Sequence, residues 1–126
     1  MRNTIHPHQP ITVFGIPNCD TVKKARTWLD ANGLSYNFHD FKKQGLSAEL
    51  LDHWMARVGW EKLLNRKGTT WRRLDAVTQS GVQDAVSAGA LMLAATSVIK
   101  RPVVQWGEGA AARVTVGFDA AAWPPV

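Results

Sequence analysis

The chain has 126 residues, of which 45% are hydrophobic, and a formal net charge of +5 from 15 Lys and Arg against 10 Asp and Glu. This length and composition predict a single globular domain with a sizeable core and exclude a disordered chain. The positive charge favours anionic partners, but the sequence has neither zinc-finger spacing nor an aromatic RNA-binding motif, so nucleic acid is not predicted as a partner. A single cysteine excludes an internal disulfide framework and a cysteine-rich metal site.

The first ten residues are predicted to be a flexible leader, and the folded domain is expected over residues 11–123. The leader lacks the apolar core of a secretory signal, and the apolar stretch 85–99 is too short and too interrupted to span a bilayer. His6 and His8 are expected to be solvated, because two histidines without further ligands do not make a metal site. We therefore expect a cytoplasmic protein with a reduced thiol and no membrane partner.

The beginning of the folded region predicts a strand–helix–strand unit. Residues 11–16 form a short apolar run typical of a buried strand, and apolar residues then recur at helical spacing over 20–32, where Gly33 ends the helix. Residues 34–41 alternate apolar and polar side chains, which predicts a second strand parallel to the first.

A helical block and a final pair of strands follow. Ser47 is a plausible N-cap, and Ser80 with Gln83 fits a capping box. The predicted helices are 47–58, 60–64, 70–74, 80–88 and a last short one at 118–123. The predicted strands are 98–106 and 113–117, joined by a turn at 107–109 as an antiparallel hairpin.

Cys19 lies where the first strand gives way to the N-terminus of the first helix. The unpaired N–H groups and the positive end of the helix dipole there stabilise a thiolate, which predicts a nucleophilic cysteine. The alternative is a buried structural cysteine. Asn18 is expected to orient the thiol or to cap the helix, and Asp20 is expected to point outward.

His39 and Asp40 resemble a catalytic pair on paper. Adjacent residues of a strand point to opposite faces of the sheet, however, so the two side chains cannot act together. We therefore interpret His39 as a structural residue.

Three separated motifs resemble those of the arsenate reductase (ArsC)/Spx family, and most closely its YffB-type branch. They are Gly15–Ala25 around the cysteine, Gly59–Arg72, and Ile99–Val104 with its Arg-Pro pair, and the resemblance covers about residues 11–120. It implies an α/β, thioredoxin-like fold: a mixed four-stranded sheet with an α-helical insertion at about 46–95. It also implies a cis Pro102 beside the reactive thiol.

The resemblance also implies roles for individual residues. In glutathione-dependent arsenate reductases a nucleophilic cysteine is surrounded by three arginines that bind the oxyanion. Cys19 matches the nucleophile, and Arg101 matches the arginine before the proline. Asn65 replaces the second arginine, with Arg66 one position later, and Gly117 falls near the third. Two of the three oxyanion-binding positions therefore depart from the family pattern.

The lone thiol determines which chemistry is open to the chain. Cys19 can attack a disulfide, but Val22 stands where a Cys-x-x-Cys partner would be, so an external thiol must resolve the mixed disulfide. Glutathione is the obvious cytosolic thiol, and the planar fork of Arg101 suits one of its carboxylates. Asn65, Arg66 and Thr69 are expected to form a second wall of the cleft.

The leading hypothesis is a glutathione-dependent thiol/disulfide reductase, an oxidoreductase with Cys19 as the catalytic residue. Glutathione is expected as co-substrate, with a disulfide or oxidised thiol as substrate, glutaredoxin as a further partner, and neither a metal nor a tightly bound cofactor. The residues expected to bind glutathione or substrate are Arg101, Asn18, Asn65, Arg66 and Pro102. Two alternatives stay open: an Spx-like redox-linked adaptor that binds RNA polymerase, and an arsenate reductase that uses glutathione and glutaredoxin.

Overall fold

The computed structural model describes residues 10–109 and 112–123. These residues divide into two compact units, which we call the sheet unit (residues up to Gln44 and from Arg101 onward) and the helical unit (Gly45–Lys100). The predicted leader, apart from Pro10, and its two histidines lie outside the described residues. The assignment of residues 11–123 to one domain stays a prediction.

The sheet unit contains a mixed four-stranded sheet, as predicted. Its strands are β1 (Ile11–Gly15), β2 (Asn37–Asp40), β3 (Val103–Trp106) and β4 (Arg113–Val116), in the order β2-β1-β3-β4. Strand β1 is parallel to β2 and antiparallel to β3, and β3 is antiparallel to β4. Its helices are α1 (Asp20–Ala31) and the single turn α2 (Phe41–Gln44).

Helix α1 covers one face of this sheet because its apolar residues recur at helical spacing. Val22, Ala25 and Leu29 are fully buried. Gly33 ends the helix with a positive φ of 68°, as the sequence predicts, and the Leu34 N–H donates to the carbonyl of Leu29. A cluster of aromatic residues completes this core, with Trp28, Trp106 and Phe118 packed edge-on around Trp123.

The opposite face of the sheet carries a second, smaller aromatic group. Phe14 of β1 and His39 of β2 are register partners, and their ring centroids lie 4.9 Å apart. Phe41 packs against both rings. The His39 ring therefore belongs to the packing of the sheet, which agrees with the structural role expected from the sequence.

The helical unit consists of short helices. They are α3 (Ala48–Val58), α4 (Trp60–Leu63), α5 (Thr69–Arg72), α6 (Ala76–Ser80), α7 (Ala85–Ala94) and a 3-10 turn at Thr96–Val98. Ser47 caps α3 as predicted, since its hydroxyl accepts from the Leu50 N–H at 3.1 Å. An antiparallel bridge joins Leu64 to Ile99. Within the described ranges, no helix is both long and apolar enough to cross a membrane.

The capping box predicted at Ser80 is wrong. Ser80 ends α6, and the capping box that begins the next helix is made by Asp84 and Ser87. The Asp84 carboxylate accepts from the Ser87 N–H at 2.8 Å, and the Ser87 hydroxyl accepts from the Asp84 N–H at 3.1 Å. The helix then continues to Ala94 instead of ending near Ala88.

Three further boundaries differ from the prediction. Strand β2 is shorter than 34–41, because a helical turn begins at Phe41. Strand β3 begins at Val103 instead of residue 98, since Pro102 has no N–H to give to a ladder. Residues 118–123 form a turn instead of a helix, in which the Asp119 carbonyl accepts from the N–H groups of Ala122 and Trp123.

Candidate thiol site

Cys19 occupies the junction that the sequence predicts, as the N-cap of α1. Its backbone is extended (φ −133°, ψ 124°), and its carbonyl accepts the first helical hydrogen bond from the Lys23 N–H at 2.9 Å. No side chain caps α1, so Asn18 does not fill the capping role expected as its default; it is exposed, one residue before the cap. Cys19 is half-buried, and as the N-cap it directly precedes the helical turn whose N–H groups have no partner within the helix.

A close contact between β1 and α1 fixes where the helix begins. A Cβ atom added to Gly15 would lie 2.9 Å from Cγ2 of the buried Val22. Only glycine therefore allows the strand end and the first turn of the helix to approach this closely. The sequence analysis missed this role of Gly15; a glycine at a strand end, seven residues before a buried helix position, is the signal that it overlooked.

The Arg101–Pro102 segment lies at the same end of the sheet as the cysteine, where β1 ends and β3 begins. Phe14 pairs with Val103, so the end of β1 that leads to Cys19 is adjacent to the start of β3. The peptide bond between Arg101 and Pro102 is cis, as the resemblance implied. Pro102 is buried and Arg101 is half-buried. The register thus places the end of β1, which leads into the cysteine loop, beside the start of β3, which follows the Arg-Pro segment. That Arg101 and Pro102 act with Cys19 stays a prediction.

Gly117, near the position of the third family arginine, lies at this end of the sheet as well. Its N–H donates to the Pro102 carbonyl at 2.8 Å, directly after the pair formed by Val103 and Val116. Gly117 is buried and has a positive φ of 81°. An L side chain would be strained in this backbone conformation, so the departure from the family pattern has a physical reason here.

The charged side chains of the first helical turns are mostly cationic. Lys23 and Lys24 are exposed, and with Arg101 they give this end of the sheet three positive charges. Asp20 is exposed as well, in agreement with the outward orientation expected for it. This balance favours a negatively charged ligand.

Asn65 and Arg66 belong to the helical unit and are fixed by contacts inside it. The Asn65 carboxamide oxygen accepts from the Lys67 N–H at 3.2 Å, and its carbonyl accepts from the Gly68 N–H. The exposed Arg66 guanidinium lies over two indole rings, 5.3 Å from the centroid of Trp60 and 5.8 Å from that of Trp71. Asn65 thus holds a turn that presents Arg66, and the binding role expected for both residues stays a prediction.

Among the residues that the structure describes, no group of three or more His, Cys, Asp and Glu side chains could hold a metal ion.

Comparisons with known proteins identify the family and the fold of this chain. The family model for the ArsC family matches residues 14–125. Among solved structures, the protein YFFB is 46% identical, with a TM-score of 0.82 over 89% of this chain and 94% of that one. An arsenate reductase (ArsC) related protein from Brucella melitensis is 50% identical, with a TM-score of 0.71 over 90% of this chain and 91% of that one.

A more distant relative has a regulatory description. The global transcriptional regulator Spx of Streptococcus mutans (strain ATCC 700610 / UA159) is 23% identical over 112 residues, which are 86% of this chain and 77% of that protein. Together these matches confirm the thioredoxin-like α/β fold and the resemblance to YffB-type proteins. The chain belongs to the ArsC family.

Proposed function

We propose that this protein is a glutathione-dependent thiol/disulfide reductase with Cys19 as the nucleophile. The observation that carries the proposal is the position of Cys19 as the N-cap of α1, at the end of the sheet where β3 begins directly after the Arg101–Pro102 segment. A thiol at a helix N-terminus with cationic neighbours has the environment of a reactive cysteine.

The proposed reaction has three thiol–disulfide exchange steps. The Cys19 thiolate attacks one sulfur of a substrate disulfide, forming a mixed disulfide and releasing the first substrate thiol. A glutathione thiolate then attacks the Cys19 sulfur, releasing the second substrate thiol and leaving glutathione on Cys19. A second glutathione thiolate attacks the bound glutathione sulfur, forming glutathione disulfide and regenerating the Cys19 thiolate. Two glutathione molecules are oxidised for each disulfide reduced.

The chain's own residues explain why an external thiol is needed. The sequence has one cysteine, and the position three residues later holds Val22, which is fully buried. Arg101 is proposed to bind a glutathione carboxylate, since its planar fork can donate two parallel hydrogen bonds to one carboxylate. Asn18 and Pro102 would line the same end of the sheet. Reduced glutathione is abundant in the cytoplasm, where we propose that the reaction takes place.

The two alternatives from the sequence are less well supported. An internal Cys-x-x-Cys switch would need a second thiol at the buried position of Val22. Arsenate reduction by the family pattern would need arginines where this chain has Asn65 and Gly117, and the positive φ of Gly117 disfavours one there. We therefore place thiol reduction first and treat both alternatives as outcomes of the experiment below.

Turnover measurements test the proposal. The protein is incubated with hydroxyethyl disulfide and reduced glutathione, and formation of glutathione disulfide is followed. Cys19→Ser is expected to abolish the rate above background. Arg101→Gln is expected to raise the KM for glutathione about tenfold, the effect of losing a charge-assisted pair. Arg113→Gln, at the opposite end of the same sheet, is the matched control and is expected to keep the KM.

Three results would overturn the proposal. Full activity of Cys19→Ser would remove the nucleophile from the account. Arsenite production from arsenate with glutathione and glutaredoxin, without any disulfide reduction, would establish the arsenate reductase alternative. Binding of RNA polymerase in a pull-down, by a protein that is inactive in both assays, would establish the adaptor alternative.

A further inference from the structure

An open cavity lies beside the edge strand β2, on the α1 side of the sheet. Its volume is about 400 Å³, and it is lined by Arg26, Asp30, Leu34, Ser35, Tyr36 and Phe38. Arg26 follows Cys19 by seven residues, which corresponds to about 10 Å along a helix axis. The cavity is therefore a different place from the thiol, and the proposed reductase chemistry does not use it.

Arg26 is held in a defined position in this cavity. Its guanidinium carbon lies 4.2 Å from the Phe38 ring centroid, and its Nε donates to the Tyr36 hydroxyl at 3.0 Å. A guanidinium fixed in this way loses little side-chain entropy when its terminal N–H groups bind a carboxylate. Arginine and tyrosine are also the side chains most enriched at the energetic centres of protein interfaces.

The cavity adjoins a strand edge that can accept another strand. Strand β2 is the first in the sheet order, so one of its edges has no strand partner in the described part of the chain. The Asp40 N–H donates to the Gln44 side chain at 3.1 Å instead of to a strand. Backbone groups of alternate residues in a strand point the same way, so the N–H and carbonyl of Phe38 point toward this outer edge. Gln44 covers the edge at Asp40, and no strand of the described residues pairs with the edge beside the cavity.

The charges along this edge favour an acidic partner. Asp30 lines the cavity with Ser35, and Arg26 lies over Phe38, so α1 runs antiparallel to β2. Lys23, one helical turn before Arg26, lies on the same face of α1 and nearer to the Asp40 end of β2. Lys42 and Lys43, both exposed, follow β2 directly. The charges along this edge are therefore four cations (the exposed Lys23, Lys42 and Lys43 and the half-buried Arg26) against two exposed carboxylates (Asp20 and Asp30).

We propose that an extended segment of an acidic protein partner binds here by adding a strand to the outer edge of β2. Its backbone would pair with Phe38, and an acidic side chain opposite Phe38 would reach the guanidinium of Arg26. Directly opposed residues of paired strands have Cβ atoms about 5 Å apart, within reach of such a contact. Main-chain hydrogen bonds would supply affinity, and the carboxylate on Arg26 would supply specificity.

Amide chemical-shift titration of the reduced protein tests this proposal. The probe is acetyl-Thr-Val-Glu-Val-Thr-amide, and a second peptide carries Lys in place of Glu. The Glu peptide is expected to cause saturable shifts at Tyr36–Phe38 and at the Arg26 side-chain N–H, with at least about tenfold weaker binding of the Lys peptide. Equal affinity of the two peptides, or no saturable shift at millimolar concentration, would overturn the proposal.

Backbone N-methylation tests the strand pairing itself. One Glu peptide is methylated at its first, third and fifth amides, and another at its second and fourth. Strand addition predicts that one of them loses binding and the other keeps it, because alternate amides face the protein. Retention of binding by both would mean charge attraction without strand pairing, and would contradict the proposal.

Variants of α1 provide the matched comparison. Arg26→Gln is expected to weaken binding of the Glu peptide about tenfold. Lys24→Gln removes an exposed cation on another face of the helix and is expected to leave binding unchanged. If Arg26→Gln does not fold, the affinity of the Glu peptide is measured with Arg26→Lys, which keeps the positive charge. Shifts at Tyr36–Phe38 that depend on protein concentration without peptide would place a second copy of the chain on this edge, against the proposal.

Discussion

Gly15 and Val22 are in contact at the point where the first strand passes into the helix that carries Cys19. The space beside the Gly15 Cα is filled by Cγ2 of Val22, which would lie 2.9 Å from an added Cβ. Both residues are buried, so neither can yield toward solvent. This contact joins the packing of the sheet unit to the position of the thiol.

Gly15→Ala is therefore expected to lower the free energy of unfolding by about 1–3 kcal/mol, as overpacking does in a close-packed core. Urea unfolding measures the change. Val22→Ala leaves a cavity but removes the obstructing methyl groups, so the double variant is expected to be more stable than the sum of the two single effects predicts. Strict additivity of the two substitutions would show that the contact does not limit the approach of α1 to β1.

Gly117 is expected to tolerate no other residue without a loss of stability. Gly117→Ala places a Cβ on a backbone with a φ of 81°, which costs about 1–2 kcal/mol. Gly117→Arg, which restores the arginine of the resembled family, is expected to carry at least the same penalty. Gly81→Ala serves as the control for urea unfolding, because Gly81 has an ordinary helical backbone. An unchanged midpoint for Gly117→Ala would contradict this explanation.

Two capping carboxylates predict how stability depends on acid pH. The hydrogen bond from the Thr78 N–H lowers the pKa of Asp75, and the bond from the Ser87 hydroxyl lowers the pKa of Asp84, each from an ordinary value of 3.8. Since the folded-state pKa is the lower one, both contributions are fully present above the ordinary value and are lost as pH falls through the folded-state pKa.

Thermal unfolding measured from pH 5 downward checks this sign. The wild type is expected to lose stability more steeply in acid than Asp75→Asn with Asp84→Asn combined, because the amides cannot be protonated in this range. A steeper acid loss in the double variant than in the wild type would contradict the sign of both shifts.

Arg66 is expected to stabilise the helical unit through its two tryptophan contacts. Arg66→Lys keeps the charge but replaces the planar guanidinium by an ammonium, and a loss of roughly 1 kcal/mol is expected for weaker cation–π contacts. Arg72→Lys, exposed in the same unit, is the control. Equal losses of unfolding free energy for the two substitutions would contradict a stabilising contact between Arg66 and the indole rings.

The strands and helices of the sheet unit could be predicted because local patterns and tertiary packing agree there. The apolar run of β1, the helical spacing of α1 and the stop at Gly33 all describe the same buried face. The site could be placed for the same reason: a thiol in a short loop that leads from a strand into a helix lies at the end of the sheet. The pairing of β1 with β3, which sets Phe14 opposite Val103, was not predicted from the sequence.

The errors arose where two local patterns had similar chemistry or where packing overrode propensity. Ser80 with Gln83 and Asp84 with Ser87 both have the spacing of a cap, and only the second pair forms the reciprocal hydrogen bonds. Residues 118–123 are rich in alanine, which favours a helix, but the rings of Phe118 and Trp123 pack together and the segment forms a turn. Neither outcome can be derived from spacing alone.

The measurement that tests the central claim most directly is the rate at which different thiols release glutathione from Cys19. The reduced protein is converted to its mixed disulfide with glutathione disulfide, confirmed by intact mass, and then mixed with glutathione or with 2-mercaptoethanol at matched thiolate concentration. The account predicts faster release by glutathione, and loss of this preference in Arg101→Gln. Equal rates for the two thiols, or a mixed disulfide that does not form at Cys19, would contradict a glutathione-dependent reductase.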